Sequence, residues 1–575
     1  MAGENIRNTN LSPRQSGDSG HSGAGILRSA AATGIATTIS RVLGLVREQV
    51  FAILFGAGNA MDAFNVAFRI PNLLRDLFAE GAMSASLVPT FVQARTETGE
   101  RRGWRTAGLV FRVLFVVVSI LAGVGILFSS QLVALYAPSF KSIPGKFEMT
   151  VRMTQVIFPF FPLVALAAAF MGILNACGYF FLPAFASALF NVGSVVVGGG
   201  LAVWLFSNGA RFGIQPIEGM AIGVLAGGLL QAMSQIPTLY RSGYRWQKRQ
   251  SDDPTWYQDP YLKKMLFMMI PGTIGLAATQ VSILVNTILA TGEGPGAVSW
   301  LSYAFRLMQF PIGVFGVSIA TAILPRISQH WVNKHFEEAK DSLAHSLRQV
   351  FAINLPASAG LIFLGLPIIQ LLFQYGAFYY EDAQKTAMAL AMYSVGLTAY
   401  SGVKVLVPAC YAMGNTRVPV LSSVLSVMFA IVLNLITVRI FGYWSLALGT
   451  SIAAVLNFSM LIRSVNILLA EKNAKMSFAP LLISFIQNLF SSIAMGICCL
   501  FTYKLLNYGF PDNYFMEEFG RKAIFLSRLI KVTFVSLEGI AITFVIAHMF
   551  GLQDTILAGE LLLSKVKKKL RRIST

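Results

Sequence analysis

Long apolar runs constrain this chain more than any other feature. VLFVVVSILAGVGILF (113–128) and LPASAGLIFLGLPIIQLLF (355–373) are each long enough to cross most or all of a hydrocarbon core about 30 Å thick as a helix. Similar runs recur along the 575 residues, and mean hydropathy is +0.63. Inside a bilayer every backbone polar group must find its partner within the protein, which leaves helices or a closed barrel. The alternating ten-residue segments of a membrane barrel are absent. The chain is therefore expected to be an all-α polytopic membrane protein.

Two of the expected spans carry charge in their interiors. The runs TTISRVLGLVREQVFAILFGAG and MDAFNVAFRIPNLLRDLFAEGA hold Arg41, Arg47, Arg69 and Arg75, with Glu48, Asp62, Asp76 and Glu80. A charge at the bilayer centre costs at least about 2.5–3.5 kcal/mol on insertion scales. A helix keeps such a charge when it faces a water-filled cavity or a charged ligand. Asp62, Arg69 and Asp76 are spaced by seven, which puts them within about 20° of one another on a helix, and Glu80 falls near the same face. Pro71 is expected to kink this helix between Arg69 and Arg75. In the first span Arg41 and Glu48 share a face, while Arg47 points elsewhere. The alternative to an anion site is internal ion pairing by the four carboxylates. Arg306, in a later span, has no acidic neighbour in sequence, so its counter-ion must come from another helix or a ligand. Arginine is also the side chain best shaped for bidentate phosphate recognition. Arg112, Arg152 and Lys404 are further buried-charge candidates.

The pattern predicts about fourteen helices, near 28–55, 60–95, 104–136, 147–176, 181–207, 217–241, 258–291, 297–330, 336–374, 381–413, 416–441, 444–470, 477–506 and 520–550. Lys and Arg concentrate in the tails and in the loops after even-numbered helices, such as RTETGERRGWR and YRSGYRWQKRQ. That side is expected to be cytoplasmic, with both termini on it. The tripeptide AFR recurs at 67–69 and 304–306, each followed by a hydrophobic-Pro pair, Val88–Pro89 and Leu324–Pro325, at nearly equal spacing. Six helices separate the copies, so two parallel six-helix halves are expected, with the substrate between them. The expected domains are a disordered tail over 1–25, an N-lobe over 26–245, a C-lobe over 246–475, a helix pair over 476–552 and a basic tail over 553–575. The first apolar run lacks a cleavage-site pattern and is expected to stay as helix 1, not to be removed as a signal peptide. The basic tail is read as either a binder of anionic headgroups or a topology anchor.

The net charge of +19 would suggest nucleic acid in a soluble chain. Here it lies mostly in loops and at helix ends, and no nucleic-acid partner is expected. Cys177, Cys410, Cys498 and Cys499 lie in or beside apolar segments and read as packing residues. His21, His330, His335, His345 and His548 form no metal motif in sequence, and no Walker motif occurs. No cofactor or metal is expected; an ion gradient or the membrane potential is available for coupling.

SRVLGLVRE (40–48), FGAGNAMDAFNVAFRIPNLLRDLFAEGAMSASLVP (55–89), VSWLSYAFRLMQFPIGVFGVSIATAILP (298–325) and YSVGL with VKVLVPACYA (393–412) resemble the MurJ/MviN family of the MOP exporter superfamily. The resemblance covers nearly the whole chain after its N-terminal tail. It implies a bacterial inner-membrane flippase for lipid II, the undecaprenyl-diphosphate-linked disaccharide-pentapeptide, working by alternating access. It also implies fourteen helices in two lobes, a cationic cavity for the diphosphate, and a groove at helices 13–14 for the polyprenyl tail. On the same resemblance Arg41, Arg47, Arg75 and Arg306 bind substrate, Ser40 and Ser299 line the cavity, and Asp62 and Glu80 gate or pair with the arginines. Glu48, Asp76 and Arg69 belong to the same charged stretch. Phe305 stands where some relatives have an acidic residue. Some members hold sodium through C-lobe carboxylates; segments 265–290 and 386–414 contain none, so such a site is not expected.

The expected function is therefore transport without catalysis, with membrane lipids and cell-wall synthesis proteins as further partners. The rivals are an exporter of another polyprenyl-linked oligosaccharide or a drug, a polytopic glycosyltransferase, and a scaffold. A cation exporter needs a carboxylate-dominated cavity, and the odd-numbered loops are too short for an obvious transferase centre.

Overall fold

The computed structural model describes residues 22–77, 82–245, 255–512, 521–556 and 559. Among them there is no strand. Helix 1 is Ser22–Phe55, helix 2a Asn59–Arg75, helix 2b Ala82–Thr98 and helix 3 Glu100–Leu127. Helix 4 is Lys146–Ala176, helix 5 Phe181–Phe212 and helix 6 Pro216–Arg241. Helix 7 is Pro260–Thr291 and helix 8 Ala297–Val332. Helices 9a (Phe336–Phe363) and 9b (Gly365–Phe373) meet at a 71° bend, and 10a (Tyr380–Val395) and 10b (Leu397–Ala412) at 43°. Helix 11 is Arg417–Phe441, helix 12 Trp444–Ala470, helix 13 Phe478–Gly509 and helix 14 Arg521–Met549.

Among the described residues nine helices are long and apolar enough to cross a membrane, or eleven if each bent pair is one crossing. Helix 1, the 2a/2b pair and helix 7 occupy the remaining expected positions. Several boundaries differ from expectation: helix 3, expected to reach 136, ends at Leu127, and Ser129–Tyr136 is a separate helix. Residues 22–25, assigned to the tail, are helical, and helix 3 begins at Glu100. Gly99, at φ +85°, turns the chain sharply out of helix 2b, and Glu100 suits the positive end of the new helix. Residues 1–21, Glu80, the 246–254 lobe boundary and most of the basic tail lie outside the described residues.

Helices 1–6 pack mainly on one another, as do 8–12; helix 7 runs between helix 2b and helix 11. Helix 13 lies along 9a, and helix 14 against 13, 9a and 9b. Among the described residues the loops after helices 1, 3, 7, 9 and 11 meet at one end, called here the odd end. Inside the first half, Gly219, Gly223 and Gly227 form a strip at four-residue spacing on helix 6. A Cβ at Gly223 would run into the backbone of Gly198, and one at Gly227 into that of Phe190. Two membrane helices thus approach to backbone contact, which only small residues permit. Gly223→Leu is expected to lower the melting midpoint in detergent by several degrees, since overpacking costs roughly 1–3 kcal/mol or more. Gly200→Ala, which faces open space, should leave it unchanged; equal melting of the two variants would show the strip to be idle.

Candidate functional site

The interior charges converge between helices 1, 2a and 8. Arg47, on helix 1, is 6% exposed and donates from Nη2 to Glu48 Oε1 at 2.8 Å. Its guanidinium also lies over the Phe51 and Phe190 rings, at 5.8 and 5.4 Å. Arg306, from helix 8, brings its Nε to 3.1 Å from the same Glu48 oxygen, with 43% of its side chain exposed. One buried carboxylate thus holds two arginines, one from each half of the chain. Arg47 is also within electrostatic reach of Arg75, and Arg69 within reach of Arg306. Arg75 pairs with Asp76 at 2.7 Å, and Gln280 of helix 7 donates to the other Asp76 oxygen at 3.2 Å. Arg41 and Arg69 make no ion pair among the described residues. A Cβ at Gly313 of helix 8 would strike the Arg41 guanidinium, so that side chain reaches across from helix 1 to helix 8.

Asp62 behaves differently from expectation. It pairs with none of the arginines. It is fully buried and accepts from Gly296 N at 2.7 Å, Ser299 N at 3.0 Å and Ser299 Oγ at 2.7 Å, all at the start of helix 8. Lys146 Nζ, at the start of helix 4, approaches Asp62 at 3.2 Å and Asn59 at 2.9 Å. The open N–H groups of a helix start attract a carboxylate, and the chain places one there from the opposite half. Ser299, expected on a cavity wall, is fully buried in this clasp. Ser40 is half-buried, and its carbonyl accepts from Asn191 at 3.1 Å.

The clasp belongs to a wider seam at the odd end. Ala377 N donates to Ile53 O at 2.9 Å, Gln49 to Leu372 O at 3.1 Å, Tyr303 Oη to Gly56 O at 3.2 Å and Ser139 to Thr291 O at 2.7 Å. Gly296, at φ +95°, packs so closely on Ala57 that a Cβ would strike its carbonyl. At the other end, helix 7 meets helix 2b through Tyr261 Oη to Glu97 at 3.0 Å and Lys264 to Gln93 at 2.6 Å.

Three charge candidates are not buried. Arg112 is exposed and donates back to Gly108 O at 3.1 Å, Arg152 is exposed and pairs with Glu218 at 2.8 Å, and Lys404 is exposed. Long cationic stems reach out of apolar surroundings in this way. Lys146 was missed, because as the first residue of its helix it reads as an ordinary loop cation. An apolar groove of about 780 Å³ opens between helices 9a, 10, 12 and 13, walled by Phe351, Phe363, Phe458 and Phe485. Helix 13 supplies one wall of it, and no described residue of helix 14 lines it.

The family model described as "Lipid II flippase MurJ" matches residues 51–519. The chain belongs to the MurJ family. The probable lipid II flippase MurJ of Vibrio cholerae is 35% identical over 453 residues, covering 77% of this chain and 83% of that one. The lipid II flippase MurJ of Burkholderia cenocepacia is 34% identical over 432 residues, covering 74% and 81%. A solved structure of lipid II flippase MurJ in an inward closed conformation superposes with a TM-score of 0.70 at 25% identity, over 90% of this chain and 98% of that one. An inward-facing multidrug MATE transporter of the MOP superfamily shares the fold, with a TM-score of 0.60 at 14% identity over 76% and 98%. The MurJ family is one of multi-pass membrane flippases, not of enzymes.

Proposed function

We propose that this chain moves lipid II from the cytoplasmic to the periplasmic leaflet of the bacterial inner membrane by alternating access. The observation that carries the reading is the sharing of Glu48 by Arg47 and Arg306. A single carboxylate cannot neutralise two guanidiniums, and Arg41 and Arg69 nearby add further positive charge. A diphosphate entering between the halves displaces Glu48 and takes the forked donors of Arg47, Arg75 and Arg306, with Arg41 assisting. Glu48 is then the built-in competitor that lets the anion leave again. The basic even-numbered loops support cytoplasmic termini. In that orientation the odd end is periplasmic, and its seam closes the exit while the headgroup loads. Asp62 acts as the gate on that seam, and the membrane potential or an ion gradient resets it. Membrane lipids and cell-wall synthesis proteins are the further partners on this reading.

The test is the exposure of lipid II to an external reagent that cuts only the periplasmic pool, in cells depleted of this protein. The exposed pool is expected to collapse while total precursor accumulates. If total precursor instead stays level and another polyprenyl-linked oligosaccharide accumulates inside, the related-exporter reading replaces this one.

A further inference from the structure

We propose that His330, His335 and Glu338 form a site for a divalent transition metal ion of the zinc class, at the turn joining helices 8 and 9a. Helix 8 ends at Val332, and the turn is closed by His335 N donating to His330 O at 2.8 Å and Lys334 N to Trp331 O at 3.1 Å. Lys334 takes φ +59° to make that closure. The consequence is that two imidazoles five residues apart come to face one carboxylate from the first turn of helix 9a. Glu338 Oε2 lies 2.8 Å from His335 Nδ1 and 3.5 Å from His330 Nδ1. One donor atom from each of the three residues falls within a 4.8 Å sphere of separations.

That geometry suits an ion. Zinc binds nitrogen and oxygen at about 2.0–2.2 Å in a tetrahedron, which sets neighbouring donors roughly 3.3–3.5 Å apart. The His330–Glu338 separation already fits, and His335 and Glu338 need to part by only about half an ångström. Two imidazoles and one carboxylate select zinc, nickel, copper or cobalt over calcium and magnesium, which want oxygen alone. The three ligands leave a fourth position for water. Lys340 does not compete, because it pairs with Glu337 and leaves Glu338 to the imidazoles. Trp331 packs edge-on against Phe336 at 5.0 Å, which braces the turn and puts an indole beside the site. A bound ion would staple the end of helix 8, the helix that carries Arg306, to the start of 9a. Because the residues are half-exposed or exposed, affinity in the micromolar range is expected.

The test uses the full chain in detergent, purified without a histidine tag. Zinc binding is measured by calorimetry, with cobalt as a visible-absorption probe of tetrahedral coordination. One zinc equivalent is expected, with affinity falling at least about tenfold in His330→Ala and in Glu338→Gln and unchanged in His345→Ala. Melting curves without metal check that the variants are folded. The proposal is overturned if no zinc binds, if binding survives both ligand substitutions, or if His345→Ala weakens it equally.

Discussion

Arg306→Glu is expected to abolish growth complementation in a strain depleted of the native protein, with the variant still present in the membrane at normal level. Arg306 contributes a charge-assisted contact, and such contacts are worth roughly 1.5–3 kcal/mol each. Reversal removes that and sets a second carboxylate beside Glu48, so a loss beyond about a hundredfold in transport follows. The site tolerates the substitution sterically, since 43% of the side chain is exposed. Arg47→Glu should be equally inactive but harder to interpret. Arg47 is buried among aromatic rings, and leaving a buried charge unpaired costs about 3–5 kcal/mol in folding. Arg75→Glu completes the set. Full complementation by all three reversals would falsify the assignment of the diphosphate to these side chains.

Asp62→Asn is expected to open the odd end. The substitution keeps the side chain's shape but removes the charge that Lys146 faces, and puts an amide where three donors converge. Losing the carboxylate leaves the buried Lys146 ammonium unpaired in the closed seam, a penalty of order 3–5 kcal/mol. A penalty of that size shifts a two-state equilibrium by more than about a hundredfold. The readout is maleimide labelling from the outside at Ala57→Cys, in a background with Cys177, Cys410, Cys498 and Cys499 replaced. Ala57 is 6% exposed against the start of helix 8, so labelling should be slow in the parent and fast with Asp62→Asn. Equal labelling rates would mean that the backbone contacts alone hold the seam. Lys146→Met should act in the same direction and isolate the charge term.

These residues also mark how far the sequence could be read. Helix positions were legible because each apolar run is long and each break has a local cause, such as Gly99. The arginines were legible because a charge inside such a run is conspicuous. The partners were not. Glu48 meets Arg306 across 258 positions of sequence, 306 less 48, and nothing local at either residue announces the other. Asp62 looked like a counter-ion for the nearby arginines because seven-residue spacing aligned it with Arg69. Its real partners begin helices 4 and 8, where free backbone N–H groups and Lys146 outcompete an arginine two turns away. The bends in helices 9 and 10 were readable in principle, since Gly365, Pro367 and Gly396 sit at the breaks. Long hydrophobic runs hid them.

The sharp bend in helix 9 has a mechanical consequence. It turns segment 9b out of line so that its carbonyls are tied on two sides. Gln49 of helix 1 bonds Leu372 O, and Arg528 of helix 14 bonds Gln370 O at 3.0 Å while also holding Asp512. The 9b segment is therefore a crossbar, pinned to the first helix at one point and to the last at another. Any rocking that parts the odd end must either drag helix 14 along or break its anchor. On the proposed reading, the last helix is thus geared to the opening of the odd end through 9b and is not free to move on its own schedule.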